Sequence, residues 1–68
     1  MIYKIYLSES KAYLEVGFTG LKNNKYGAAI LCPEKGTFLQ LDELDVEELI
    51  KALNIVKNEI REGNEQRS

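Results

Sequence analysis

Residues 45–63 read Asp45-Val46-Glu47-Glu48-Leu49-Ile50-Lys51-Ala52-Leu53-Asn54-Ile55-Val56-Lys57-Asn58-Glu59-Ile60-Arg61-Glu62-Gly63. Val46, Leu49, Ile50, Leu53, Val56 and Ile60 recur at i, i+3, i+4 and i+7, which makes one apolar stripe on an amphipathic helix. Asp45 is a good N-cap, and Glu48 three residues later approximates a capping box. Acidic residues in the first turn also suit the positive end of the helix dipole. Gly63 is the expected stop. The spacing therefore predicts a helix over 46–61, closing a domain of residues 1–63, with a flexible polar tail at 64–68. Ile55 falls nearly opposite the centre of the stripe, among Glu48, Lys51, Glu59 and Glu62. It reads either as a lone exposed isoleucine or as a dimer contact.

The chain ahead of this helix is rich in strand signals. Ile2 to Ser8 has β-type composition, with Tyr3, Ile5 and Leu7 on one face and Ile2, Lys4 and Tyr6 on the other. Glu9-Ser10 is a short polar break that predicts a tight hairpin. From Lys11 to Thr19 the alternation is clean, with Ala12, Leu14, Val16 and Phe18 facing one way and Lys11, Tyr13, Glu15 and Thr19 the other. Gly20 to Lys25 is a loop in which Asn23 and Asn24 tolerate left-handed backbone. Tyr26 to Cys32 is apolar on both faces, as suits a central strand. Pro33-Glu34-Lys35-Gly36 is a turn, with proline at its first corner and glycine at a left-handed exit. Thr37 to Leu41 is the fourth strand. The predicted fold is α+β: a four-stranded antiparallel meander with the C-terminal helix on one sheet face. Its expected core is Leu14, Val16, Phe18, Ile30, Leu39, Val46, Leu49, Ile50, Leu53 and Val56.

Sixty-eight residues make one domain, and so short a chain buries only about 60% of its unfolded surface. Small scaffolds add disulfides, a metal or an oligomer interface. Cys32 is the only cysteine and there is no histidine, so neither an intrachain disulfide nor a zinc site is expected. That leaves oligomerisation, and a homodimer is predicted. No apolar run approaches the roughly 18 residues of a membrane span, and the first residues lack an apolar signal core. With one unpaired cysteine, a cytoplasmic setting is the natural expectation.

Enzyme chemistry has little support, and no cofactor is expected. There is no histidine for acid–base work near neutral pH. Cys32 beside Pro33 reads as a buried, inert thiol. Asp42, Glu43, Asp45, Glu47 and Glu48 lack the spacing of a calcium-binding loop and read first as a cap and a solvated face.

Charge is split along the chain. Residues 1–41 carry a formal +2 and residues 42–68 a formal −4. A sheet and a helix of opposite sign suggest two surfaces with different partners. If the helix takes one sheet face, the other is solvated, dimerised or occupied by a ligand. Tyr13 and Lys11 belong to that open face. With Phe38 or Tyr6 they would form an aromatic and basic platform of the kind that binds single-stranded nucleic acid. Lys11, Lys22, Lys25 and Lys35 would neutralise phosphates, and Tyr13 and Phe38 would stack bases. The ordinary reading, that tyrosine is simply common in strands, is the weightier one. The other binding expectation is a protein partner met by the acidic run Asp42 to Glu48.

Lys35-Gly36-Thr37-Phe38-Leu39, followed by Leu41 and then by Asp45 through Leu53, resembles the positive-cofactor family of transcriptional coactivators and its bacterial and phage relatives. The resemblance extends over about residues 11–61 in strand order and length, and residue by residue it rests on Lys35 and Gly36. It implies four antiparallel strands and one helix, dimerisation through the helices, and single-stranded DNA bound on the sheets. The family's sheets are richer in lysine and arginine, whereas here no arginine precedes Arg61. A second resemblance is to small phage inhibitors that mimic DNA, one type of which blocks uracil-DNA glycosylase. It implies that Asp42 to Glu48, five acids in seven residues, imitates phosphates.

Overall fold

A computed structural model describes residues 2–67. Met1 and Ser68 lie outside the described residues, and with Ser68 goes the end of the expected tail. The elements are β1 (Ile2–Tyr6), β2 (Tyr13–Gly20), β3 (Tyr26–Cys32), β4 (Thr37–Leu41) and α1 (Glu43–Arg67), with short 3-10 turns at Lys22–Asn24 and Pro33–Lys35. The strands form one antiparallel sheet in the order β1-β2-β3-β4. This is the predicted ββββα meander, with the helix on one sheet face.

The turns follow their residues. Asn23 and Asn24 hold φ of 63° and 58°, a region that asparagine enters at little cost. Gly36 has φ 66°, and its N–H donates to the Pro33 carbonyl oxygen. The first hairpin departs from expectation. Ser8 and Lys11 lie outside the strands. Leu7 N–H donates to the Ala12 carbonyl at 2.9 Å, Lys11 N–H donates back to Leu7 at 3.0 Å, and Lys11 itself turns left-handed at φ 62°.

The helix starts earlier and ends later than predicted. Asp42, not Asp45, is the N-cap. Its Oδ1 accepts from the Asp45 N–H at 2.8 Å, while Asp45 Oδ2 accepts from the Asp42 N–H at 3.2 Å. Val46 N–H donates to the Asp42 carbonyl at 3.0 Å, opening the ladder. The reciprocal box is therefore Asp42-x-x-Asp45, three residues ahead of the Asp45–Glu48 pair. Asp42→Ala should lower stability by about 1 kcal/mol, and Glu48→Ala should be nearly silent in the same thermal melt. The reverse order would restore the later cap. Gly63 does not end the helix, which continues to Arg67. Glycine inside a helix costs only about 1 kcal/mol relative to alanine.

Packing is where the expectation fails most. Ile5, Leu14, Val16, Ala28, Ile30 and Leu41 of the sheet and Val46, Leu49, Ile50 and Leu53 of the helix surround one cavity of about 360 Å³. The helix thus faces the predicted side of the sheet but does not close on it. Among the described residues the buried hydrophobic ones are Ala12, Ala29 and Cys32. Of the expected core, Leu14, Val16, Ile30 and Val46 are half-buried. Phe18, Leu39, Leu49, Ile50, Leu53 and Val56 are exposed, Leu53 at 58%. The whole chain exposes 6087 Å², against about 4,400 Å² for a compact monomer of 7.8 kDa. Its radius of gyration is 14.7 Å, against about 11 Å for a compact 68-residue domain.

Candidate functional site

Strand pairing decides which side chains share the open face. The helix occupies the side of Ile5, Leu14, Val16 and Ile30. Successive strand residues alternate in direction, so Lys4, Tyr6, Tyr13, Glu15, Leu31, Phe38 and Gln40 present to the other side. Tyr6 pairs with Tyr13, Lys4 with Glu15, Glu15 with Leu31 and Leu31 with Phe38. The Tyr6 and Tyr13 ring centroids are 5.9 Å apart and tilted by 42°. Lys4 Nζ lies 5.3 Å from the centre of the Tyr13 ring, within cation–π range. Tyr6 is 75% exposed. Tyr13 is half-buried and Phe38 exposed.

Four lysines were expected to neutralise phosphates, and the meander divides them between its two ends. Alternate connections of an antiparallel meander lie at the same end. Lys11, in the β1–β2 hairpin, and Lys35, in the β3–β4 turn, therefore share the end near Tyr6 and Tyr13. Lys22 and Lys25 lie at the far end, in the β2–β3 loop closed by a 2.8 Å bond from Leu21 N–H to the Lys25 carbonyl. All four are exposed. The helix start shares that far end, so Asp42, Glu43 and Asp45 lie at the same end as Lys22 and Lys25.

Lys4 was missed as a site residue, and Tyr6 was named only as an option. Their signal was present. A hairpin centred on Glu9-Ser10 places Tyr6 opposite Tyr13 and Lys4 opposite Glu15, and the longer hairpin found here keeps that register.

Within the acidic run, Asp42 and Asp45 cap each other's backbone, and Glu48 lies 3.5 Å from Lys51 Nζ on the helix surface. Glu43 and Glu47 are exposed. Among the described residues no group of three acidic or cysteine side chains could hold a metal ion. No described helix is long and apolar enough to cross a membrane. Cys32 is a buried free thiol.

A second aromatic group lies on the helix side of the sheet. Phe18 and Tyr26 stack with centroids 4.9 Å apart and planes at 25°, and Phe18 is 69% exposed. Beside them an open apolar depression is lined by Tyr3, Val16, Phe18, Ala28 and Val46. Ile55, the expected dimer contact, is exposed on the side of the helix away from the stripe.

No protein-family model matches this chain, and no curated protein or solved structure is significantly similar to it.

Proposed function

We propose that this chain is a non-enzymatic binding module that works as a homodimer and takes single-stranded nucleic acid on its open sheet face. One observation carries the binding reading. With the helix on the opposite side, the open face retains Tyr13 flanked by Tyr6 and Lys4, with Phe38 two strands away. Flat rings stack on bases of any sequence, and the lysines meet the phosphates.

The dimer reading rests on unspent apolar surface. The chain exposes about 1,700 Å² beyond what a compact monomer of its mass would, which is within the range one protomer gives up in an obligate dimer. Ile50, Leu53, Val56 and Ile60 continue one exposed stripe along the helix, and Phe18 and Tyr26 remain exposed on the same side of the sheet, near the start of the helix. The stripe, rather than Ile55 on the far side, is the favoured contact. A dimer closed there leaves both open sheet faces free.

The test is a fluorescence-anisotropy titration with a labelled single-stranded oligonucleotide. Binding at about 50 mM salt should weaken roughly 20- to 130-fold at 200 mM, the loss expected when three to five phosphates are neutralised. Absence of binding at 50 mM would end the nucleic-acid reading. The protein-binding reading of Asp42, Glu43, Asp45, Glu47 and Glu48 would then be tested by pull-down, comparing the native segment with a neutralised one.

A further inference from the structure

We infer that the nucleic-acid site is confined to the hairpin end of the open face. Lys4, Tyr6 and Tyr13 are its centre, Lys11 and Lys35 flank it, and the Lys22–Lys25 loop stands outside it. This deepens the nucleic-acid reading and rests on it. Lys4 is the added binding residue, and Tyr6 the added stacking residue.

Three observations converge on this end. The first is the cluster itself. Tyr6 and Tyr13 approach to 5.9 Å, with the Lys4 ammonium 5.3 Å from the Tyr13 ring centre, so a stacking surface and a phosphate partner are already adjacent. The second is topology. The connections that carry Lys11 and Lys35 close the sheet at this end, and Pro33–Lys35 packs near β2. The third is charge. At the far end Lys22 and Lys25 share the sheet's edge with Asp42, Glu43 and Asp45, which outnumber them and repel phosphate. At the hairpin end Lys4, Lys11 and Lys35 are balanced by Glu9, Glu15 and Glu34.

That balance shapes the ligand. Charge does not concentrate phosphates strongly even here, so stacking supplies most of the affinity. Tyr6, Tyr13 and Phe38 offer three rings, which suits two or three consecutive unpaired bases rather than a long tracked strand. With three lysines engaged, the logarithm of the binding constant should fall with that of salt at a slope near −2, since single strands give about −0.7 per neutralised phosphate.

The experiment uses the full chain and a labelled single-stranded thymidine oligonucleotide, comparing wild type with Lys4→Gln, Tyr6→Ala and the double variant Lys22→Gln/Lys25→Gln. Circular dichroism first establishes that each variant is folded. Lys4→Gln, a change at an exposed residue whose one ring contact is with Tyr13, keeps the test valid if Tyr6→Ala does not fold. The expected result is a loss of about ten-fold for Tyr6→Ala, several-fold for Lys4→Gln and less than two-fold for the double variant. Strong loss in the double variant with Lys4→Gln silent would overturn the inference and leave the nucleic-acid reading standing. No binding by the wild type at low salt would overturn both.

Discussion

Leu53→Asp should abolish both the dimer and the fold at micromolar concentration. In the single chain Leu53 is 58% exposed, and a charge at such a site would ordinarily change stability by about 0.5 kcal/mol or less. The prediction of a large effect comes from what surrounds it. Leu53 shares a cavity with Ile5 and Leu14, and the stripe continues from it to Val56 and Ile60 with nothing over them. If a second copy closes on that stripe, each protomer places one carboxylate in an apolar interface. An unpaired ionised group there costs several kcal/mol, counted twice by symmetry. The expected readout is an unfolded circular-dichroism spectrum. Ile55→Lys, on the same helix but turned away, should leave mass and melting temperature unchanged. If Leu53→Asp is as silent as Ile55→Lys, the stripe is not an interface.

Gly27→Ala should be far more damaging than the same change at Gly20. A Cβ at Gly27 would fall onto the carbonyl oxygen of Leu41 and close to the Leu21 side chain. Leu21 can rotate, but Leu41 is backbone at the junction where β4 passes into the helix. Relief therefore requires β3 and β4 to separate or the helix to tilt. Overpacking of this kind costs about 1–3 kcal/mol, a large share of the stability of so small a domain. Gly20→Ala is the control, because nothing lies within 4 Å of its added Cβ, and its urea midpoint should stay near that of the wild type. Equal midpoints for the two variants would show that the β3–β4 approach is looser than described.

The elements were legible wherever a turn residue marked their limits. Asn23-Asn24 and Pro33 to Gly36 bracket β3, and both stretches adopt the left-handed backbone their residues favour, so β3 and β4 begin and end as predicted. The first hairpin has no glycine or asparagine, and a lysine takes the left-handed position instead. Composition could not show that Ser8 and Lys11 leave the strands. The N-cap was ambiguous because two acidic pairs at the same spacing overlap. β4 runs to Leu41, so the chain enters the helix at once and the first pair caps it.

The core was over-counted for a geometric reason. A 25-residue helix is about 37 Å long, whereas strands of 5–8 residues span only about 17–27 Å. One sheet cannot cover the whole stripe, although periodicity alone assigns every stripe residue to the same core. The candidate site was legible in part for a similar reason. Tyr13 and Phe38 followed from alternation within their own strands, while Lys4 and Tyr6 needed the register between strands.

Sedimentation equilibrium at micromolar concentration tests the homodimer most directly. A homodimer gives a single species of about twice the 7.8 kDa chain mass, dissociating only on dilution and unfolding as it does so. A folded, cooperative monomer of 7.8 kDa, with its melting temperature independent of concentration, would contradict it.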